Sequence, residues 1–396
     1  PRNVPPIPRL TFLAAFFALL APAVFSAEPP KLAVVIVIDQ FRGDYLAKFG
    51  PYFGEGGFRR LLANGVNYTQ CHYRHAATLT APGHATILTG TTPDTHGITA
   101  NDWLDRATWE MRNCVEDGSS PLVGISPAEL GPVAAAAPEK TGHSPRTLLA
   151  ATLSDELKQR FGAKARVFAV ANKDRSALLL GGQKPDGAYW DENGRFVTSR
   201  HYRPDLPAWV RAFNAGNPVT GRFGATWDRV LDREVYDRLQ GPDDGPGEAD
   251  TAGLGRTFPR RIDGGLKQPG PAFFTAFDNS PFSTEVLGEL AERAVTDGAE
   301  VRQGLGEGGL LLRVELVVGQ PVGGSAALGP RVDAVDVLVA EPDPAVMIMV
   351  ELLTLDLLHG IGTGHRLARG AEHRKEVRFV RFADHVFGER LAVVGD

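Results

Sequence analysis

The chain has 396 residues, of which 43% are hydrophobic, and carries a formal net charge of −5 and two cysteines. This length and apolar content suit one large globular domain or two domains, and they exclude a chain too small to bury a core. Acidic and basic residues are interspersed without a basic stripe, which argues against nucleic acid or an anionic membrane as the main partner.

Residues 1–27 have the pattern of an export signal. Arg2 and Arg9 flank the start of the segment, an apolar run follows at residues 10–20, and small residues up to Ala27 suit cleavage after that position. We therefore predict a periplasmic or secreted mature chain, with an uncleaved N-terminal anchor as the alternative. The apolar run is shorter than a usual spanning helix, and no other stretch of the sequence suits a membrane span.

A buried parallel strand is predicted at residues 31–38, an almost unbroken β-branched run that ends just before Asp39. Open α/β sheets bind ligands at the carboxyl ends of their strands, where a carboxylate can bind a metal ion. An aspartate that only caps a turn is the alternative. Farther along, residues 58–64 predict a short amphipathic helix that ends at Gly65.

Thr80 is the candidate nucleophile, in the segment TLTAPGHATILTG at residues 78–90. Pro82 suits the first turn of a helix and favours an extended Ala81, so we expect Thr80 just ahead of the helix, beside unpaired amides. Those amides and the helix dipole favour an alkoxide or a phosphate oxygen. A helix-capping threonine is the alternative.

The two cysteines, Cys71 and Cys114, leave two alternatives open. They form a disulfide in an oxidising compartment if their Cα atoms are close enough, or they remain two free thiols.

A second strand is predicted at residues 165–171, and Lys173 and Arg175 follow it. In an extended chain a spacing of two places both cations on the same side. Arginine offers two parallel donors and lysine a point charge, which together suit a dianionic phosphate. An ordinary solvated lysine and arginine are the alternative.

The remaining pattern favours a doubly wound, mostly parallel α/β sheet, because helices alternate with strands. One helix is predicted to begin at Ser144 and Pro145, and another covers residues 283–298. Residues 186–270 are aromatic, rich in glycine and proline, and irregular, which is typical of a cap inserted beside an active site.

Several spaced stretches together resemble one family. These stretches are residues 37–46 (VIDQFRGDYL), 75–84, 101–103 (NDW), 172–176 (NKDRS), 188–190, 253–259 and 280–282. In this order they resemble the alkaline phosphatases with a threonine nucleophile, which belong with the type I phosphodiesterases and nucleotide pyrophosphatases in the alkaline phosphatase superfamily. The resemblance runs through roughly residues 31–298, and it implies the alkaline-phosphatase-like sheet with an inserted cap.

The resemblance also implies roles for five residues. Asp39 is expected to be a zinc ligand, and Thr80 both the nucleophile and a ligand of the same zinc, while the phosphoryl oxygens are held by three further residues: Asn101, Lys173 and Arg175. A pair of cations of this kind marks the monoesterases of the superfamily. The implied activity is an exported zinc-dependent phosphomonoesterase that acts on small-molecule phosphate esters through a phosphothreonine, with two zinc ions in the intact family.

Two alternatives to this activity remain at this point. The first is a phosphodiesterase or nucleotide pyrophosphatase, and the second is a non-catalytic phosphate-binding relic. A sulfatase is disfavoured because the sequence has no Cys-x-Pro-x-Arg or Ser-x-Pro-x-Arg signature for a formylglycine nucleophile.

The resemblance stops after about residue 299. The family's later Asp and His ligands are not in place, and residues 300–396 contain no Asn, Tyr, Trp or Cys. We predict that a shifted reading frame produces this tail, so that the last quarter of the chain is non-native or disordered. The expected division is then a signal at 1–27, the N-terminal part of the catalytic domain at 28–299 with the cap at 186–270, and the tail. The second zinc site cannot be assigned, which leaves the activity of this chain open.

Overall fold

The computed structural model describes residues 32–245, 250 and 252–296, together with the strands at 312–318, 346–353 and 391–394. The predicted export signal lies outside the described residues. None of the helices within the described ranges is long and apolar enough to cross a bilayer.

A mostly parallel sheet forms the centre of the described part, where nine strands are hydrogen-bonded in one layer. In spatial order they are β2 (Asn67–Tyr68), β13 (Leu391–Val394), β11 (Leu312–Val318), β1 (Leu32–Asp39), β12 (Val346–Leu353), β6 (Arg166–Ala171), β7 (Gly187–Glu192), β8 (Arg195–Ser199) and β5 (Leu122–Val123). All neighbours from β2 to β7 are parallel, whereas β8 runs antiparallel to both β7 and β5.

Two small antiparallel sheets and a set of helices complete the described part. The small sheets pair β3 (Asp102–Asp105) with β4 (Glu110–Asn113) and β9 (Ala225–Trp227) with β10 (Arg260–Ile262). The α-helices are α1 (Tyr45–Phe49), α2 (Gly57–Asn64), α3 (Thr80–Thr89), α4 (Pro93–His96), α5 (Pro127–Leu130), α6 (Pro132–Ala136), α7 (Leu153–Phe161), α8 (Asp174–Gly181), α9 (Ala208–Ala215), α10 (Arg233–Gln240), α11 (Pro271–Asp278) and α12 (Pro281–Thr296). Short 3-10 turns lie at Gly50–Tyr52, Pro138–Lys140, Gly162–Lys164 and Thr220–Arg222.

The two faces of β1 pack into two different hydrophobic clusters, because successive strand residues point to opposite faces. Val34 and Ile36 join one cluster with the apolar side of α12, and Val35 and Val37 join the other with α3 and α8. Helices therefore cover both faces of the sheet. The predicted doubly wound α/β fold is confirmed.

Helix α2 agrees with its prediction and ends at Gly65, the residue after its last turn. Helix α12 occupies Pro281–Thr296 where residues 283–298 were expected. The predicted helix start at Ser144 and Pro145 is wrong. The Ser144 hydroxyl instead donates to Asp117 Oδ2 at 2.6 Å.

Helix α7 begins at Leu153 because Thr152 is its N-cap. The Thr152 hydroxyl accepts a hydrogen bond from the Asp155 amide, and the Asp155 carboxylate accepts one from the Thr152 amide. This reciprocal capping box fixes the first turn of the helix and separates it from the loop that precedes it.

The predicted cap and tail both contribute strands to the main sheet. Strands β7 and β8 fall inside residues 186–270, whereas the other described residues of that range form α9, α10, the β9–β10 sheet, a 3-10 turn and irregular chain. Strands β11, β12 and β13 come from residues 300–396. The other residues of that tail lie outside the described ranges, so the reading-frame hypothesis and the domain limits stay predictions.

Candidate active site

Asp39 is the last residue of β1 and lies at the carboxyl edge of the parallel sheet, as predicted. Burial on its own raises the pKa of the Asp39 carboxyl. The charges of His84 and Lys173 and the hydrogen bonds from Lys173 and Thr80 outweigh burial and hold this pKa below its ordinary value. Asp39 is therefore an anionic carboxylate at neutral pH, which suits an oxygen ligand of a metal ion.

Thr80 is the first residue of α3, and its hydroxyl Oγ1 donates a hydrogen bond to Asp39 Oδ2 at 3.2 Å. The N-cap of the helix is Leu79, so the interpretation of Thr80 as a cap is wrong. The sequence predicts Thr80 just ahead of the helix, whereas the structure has it as the first helical residue. Its hydroxyl faces the end of β1, because it bonds to the last residue of that strand.

Pro82 lies in the first turn of α3, as predicted, but the expectation of an extended Ala81 is wrong. Ala81 is helical and fully buried, and its backbone N–H donates to Asn101 Oδ1 at 2.9 Å. Proline only disfavours the helical conformation at the residue before it. Burial and this hydrogen bond outweigh that preference here.

Asn101 is thereby placed beside the N-terminus of α3, next to the candidate nucleophile. Its own backbone carbonyl accepts a hydrogen bond from the Cys114 amide at 2.9 Å, which ties the chain before β3 to the chain after β4. The side-chain oxygen of Asn101 accepts the hydrogen bond from the helix. Its side-chain NH₂ group can donate a hydrogen bond to a phosphoryl oxygen.

Lys173 is the N-cap of α8, and its Nζ donates to Asp39 Oδ2 at 3.3 Å. One carboxylate oxygen of Asp39 thus receives both the Thr80 hydroxyl and the Lys173 ammonium. Asp39, Thr80 and Lys173 come from three distant parts of the sequence. The structure brings them into direct contact.

Arg175 lies in the first turn of α8, so the predicted extended arrangement of Lys173 and Arg175 is wrong. Lys173 has extended backbone angles, whereas Arg175 is helical. The Arg175 Nη1 atom lies 3.5 Å from Asp174 Oδ1, and the side chain is only 23% exposed. Arg175 is therefore half-buried rather than solvated, and it contacts Asp174 rather than Asp39.

The geometry of Asp39 and Thr80 fits two ligands of one zinc ion. Asp39 Oδ2 and Thr80 Oγ1 are 3.2 Å apart, and two oxygens bound tetrahedrally at about 2.1 Å from zinc would be about 3.4 Å apart. Within the described ranges, no group of three or more His, Cys, Asp and Glu side chains converges on one metal position. Among the described residues, Asp39 and Thr80 would therefore supply only part of the ligand set of one zinc ion, and a second zinc position is not defined there.

Sequence reasoning missed His143 and Asp174. His143 Nδ1 lies 3.1 Å from Asp174 Oδ2, and both side chains are largely buried. The position of Asp174 between two predicted phosphate-binding cations was a signal that could have drawn attention to it. No local signal marks His143, because its contact depends on how its loop packs against α8.

A buried group of carboxyls beside Lys173 was also missed. Burial and the charge of Glu192 raise the pKa of Asp278 to about 7, although Lys173 opposes the shift. Burial and the charge of Asp278 also raise the pKa of Asp191. Asp278 therefore places a second carboxyl near Lys173, and its raised pKa keeps that carboxyl partly protonated at neutral pH.

Cys71 is exposed and Cys114 is buried, and the two do not form a disulfide in the structure. Of the two alternatives left open by the sequence, the structure has the reduced thiols. Burial is the main reason that the pKa of the Cys114 thiol rises to about 12.

Residues 33–253, more than half of the chain, match the type I phosphodiesterase / nucleotide pyrophosphatase family. The chain belongs to this family. Alkaline phosphatase PafA of Elizabethkingia meningoseptica is 36% identical over 209 residues, which are 52% of this chain and 36% of PafA. Alkaline phosphatase PhoV of Synechococcus elongatus is 39% identical over 223 residues, which are 55% of this chain and 38% of PhoV.

The solved structures confirm the fold. The crystal structure of wild-type PafA matches with a TM-score of 0.63 at 27% identity and covers 91% of this chain and 59% of that chain. A PafA variant substituted at a threonine, an asparagine, a lysine and an arginine matches with a TM-score of 0.60 at 25% identity, covering 91% of this chain and 60% of that one. The chain spans less than two thirds of the length of each of these relatives.

Proposed function

We propose that the protein is a phosphomonoesterase of the alkaline phosphatase type, with Thr80 as its nucleophile. The observation that carries this proposal is the 3.2 Å contact between Thr80 Oγ1 and Asp39 Oδ2 at the carboxyl end of β1. The hydroxyl lies at the N-terminus of α3, where the helix dipole stabilises negative charge. The similarity to proteins named alkaline phosphatases supports the reaction class.

The substituted PafA variant supports the choice of residues. In that protein the threonine and the asparagine are as far apart in sequence as Thr80 and Asn101, and the lysine and the arginine as far apart as Lys173 and Arg175. The same four residue types therefore recur in the same order. This agreement favours one shared phosphate site.

Asp39 and Thr80 would hold a zinc ion, which acts as a Lewis acid that stabilises charge on a phosphoryl oxygen. The residues of the chain carry the rest of the reaction. Thr80 Oγ1 gives up its proton to water and attacks phosphorus, the bond from phosphorus to the ester oxygen breaks, and the departing alkoxide takes a proton from water. Hydrolysis of the resulting phosphothreonine then regenerates the Thr80 hydroxyl and releases phosphate.

Asn101, Lys173 and Arg175 bind the phosphoryl group during these steps. A hydrogen bond to a charged group contributes about 1.5–3 kcal/mol, more than a bond between neutral groups. A phosphate monoester dianion carries one more negative charge than a diester, so two cations stabilise the monoester more strongly. The pair Lys173 and Arg175 therefore favours monoesters of small molecules as substrates.

The predicted export signal supports a periplasmic or secreted location.

Hydrolysis of aryl phosphate monoesters and diesters by the full chain with added zinc tests the proposal. We expect faster monoester turnover and a loss of about 10³-fold or more in Thr80→Ala, because the nucleophile is removed. Thr78→Ala is the matched control and should keep activity. Mass spectrometry of the quenched enzyme should find the added phosphoryl group on Thr80.

Three other outcomes decide between the alternatives. Faster diester turnover would identify a phosphodiesterase. Bound phosphate without zinc, and no turnover when zinc is supplied, would identify a phosphate-binding relic. Full activity in Thr80→Ala would exclude the threonine nucleophile altogether.

A further inference from the structure

Asp174 connects Arg175 to a histidine on another segment of the chain. One carboxylate oxygen, Oδ1, accepts the Arg175 backbone N–H at 2.7 Å and lies 3.5 Å from Arg175 Nη1. The other oxygen, Oδ2, lies 3.1 Å from His143 Nδ1. The side chains of Asp174 and His143 are 14% and 18% exposed, respectively. A single carboxylate therefore contacts the arginine on one side and the imidazole on the other.

The imidazole of His143 packs against a buried aromatic ring. Its ring lies parallel to the fully buried ring of Trp190 on β7, with centroids 6.0 Å apart and an interplanar angle of 15°. Trp190 Nε1 in turn donates to Glu192 Oε1 at 3.1 Å. The His143 backbone N–H donates to the Ser120 carbonyl at 2.9 Å. Backbone and ring are thus fixed independently.

The charged groups around this pair favour an imidazolium facing a carboxylate. Burial lowers the pKa of His143, but the contact with Asp174 and the charges of Asp174, Glu192 and Glu116 outweigh it and raise this pKa. Burial likewise raises the pKa of Asp174, and His143 and Arg175 reverse that shift and lower it. Cys114 also faces this pair, but it stays a neutral thiol because its pKa is about 12.

We propose that His143 and Asp174 are positioning residues that orient Arg175 towards the substrate phosphate. This inference rests on the proposed function, because it assigns Arg175 to phosphate binding. The Asp174 carboxylate fixes the Arg175 backbone by accepting its N–H at Oδ1. His143 contacts the other carboxylate oxygen, Oδ2. The imidazolium also neutralises the carboxylate, which leaves the guanidinium free to bind a phosphate dianion.

Loss of the imidazolium charge on His143 should weaken phosphate binding by Arg175. Asp174 then carries an uncompensated negative charge next to Arg175, and it competes with phosphate for the guanidinium. Phosphate binding should therefore weaken as the pH rises through the raised pKa of His143. A purely structural histidine would not link phosphate affinity to its own titration.

Calorimetric titration of the full, zinc-supplied chain with inorganic phosphate between pH 6 and 9 tests the inference. We expect His143→Gln to weaken binding by roughly three- to tenfold at low pH and by less at high pH, where the wild-type imidazole is also neutral. Comparing variant with wild type removes the ionisation of phosphate itself. His201→Gln, the same change at an exposed histidine, is the control and should leave binding unchanged. Arg175→Ala should weaken binding at every pH.

A second variant keeps the test decisive if His143→Gln does not fold. Asp174→Asn preserves the shape of the side chain and removes its charge, so the His143 titration, followed by NMR, should move to lower pH. Because the asparagine side chain has no charge with which to compete for the guanidinium, the step in phosphate affinity that follows the His143 titration should be lost. A His143 titration that is the same in both proteins would overturn the inference.

The failure of the positioning role can be told apart from failure of the proposed function. Weak binding by Arg175→Ala together with unchanged binding by His143→Gln at all pH values overturns the positioning role alone. No phosphate binding by the wild-type chain overturns both.

Discussion

Asp39 Oδ2 accepts hydrogen bonds from two donors with different chemistry, the Thr80 hydroxyl and the Lys173 ammonium. The same oxygen is a candidate zinc ligand, so the ammonium and a zinc ion would compete for its lone pairs. Lys173 has a second candidate partner in the phosphate of a substrate. In the proposed site, Lys173 would therefore connect metal binding with phosphate binding.

Replacing Lys173 by methionine should separate these two roles. Zinc affinity should rise by roughly three- to tenfold, because the competing cation at Asp39 Oδ2 is removed. Inorganic phosphate affinity should fall, because one of the two cations is lost. Zinc affinity can be measured by competition with a chelator and phosphate affinity by calorimetry. Lys184→Met, on an exposed lysine, is the control, and a parallel fall in both affinities in Lys173→Met would contradict the prediction.

At the scale of single elements, the ends of helices and the course of a buried strand could be predicted from residues close together in sequence. The β-branched run gave β1, and Gly65 correctly marked the end of α2. The start of α7 was also readable, because Thr152 and Asp155 have the spacing of a capping box. The predicted start at Ser144 and Pro145 instead assigns a non-helical segment to the helix.

The site was predictable only in part for the same reason. The positions of Asp39 and Thr80 follow from the end of a strand and the start of a helix, which the sequence shows. The contact of His143 with Asp174 depends on the course of the segment between β4 and α7, which is set by tertiary hydrogen bonds. A sequence pattern does not contain those bonds.

Asp117 connects the two ends of that segment. Its carboxylate accepts hydrogen bonds from the hydroxyls of Ser119, Ser120 and Ser144 and from Arg146 Nη1, at 2.6 to 3.0 Å. Burial opposes ionisation, but these bonds outweigh it and hold the pKa of Asp117 well below its ordinary value. The carboxylate thereby fixes the residue next to His143.

Asp117→Asn should lower the free energy of unfolding by about 2–4 kcal/mol at pH 7, since several bonds to a charged acceptor are weakened. A lowered pKa stabilises the folded state above the ordinary carboxyl pKa of about 3.9, and this contribution declines as the pH falls below that value. The difference between wild type and variant should therefore shrink from pH 7 to pH 3. Urea denaturation at both pH values measures it.

The exposed Asp205, whose side chain is 75% exposed, offers the matched change. Asp205→Asn should alter the free energy of unfolding by less than about 0.5 kcal/mol. An Asp117→Asn variant that is as stable as Asp205→Asn would show that the bonds to Asp117 contribute little.

At the scale of the whole molecule, the order of the strands sets the distance between the two halves of the site. Asp39 follows β1 and Lys173 follows β6, and β12 lies between these strands and pairs with both. Neighbouring strands are about 4.8 Å apart, so β1 and β6 are separated by nearly 10 Å. Only a long side chain such as that of Lys173 can bridge this gap to an aspartate.

The strands from residues 300–396 bear directly on the reading-frame hypothesis. Resequencing the coding DNA tests it: we expect a frame change near the codon for residue 299, and an unbroken frame through this region would contradict the hypothesis. The structure makes the outcome important, since β11 and β12 flank β1 on both sides. Residues after position 299 thus complete the sheet whose edge carries the site.

Removing residues 297–396 should therefore prevent the remaining chain from folding into a phosphate-binding protein. Without β11 and β12, β1 would have unpaired backbone groups along both edges, a template for aggregation. We expect the truncated chain to aggregate in sedimentation experiments and to lose phosphate binding. Deleting only residues 395 and 396, which follow β13, is the control and should change neither property. A monomeric truncated chain that still binds phosphate would show that Asp39 and Lys173 reach their positions without β12 between them.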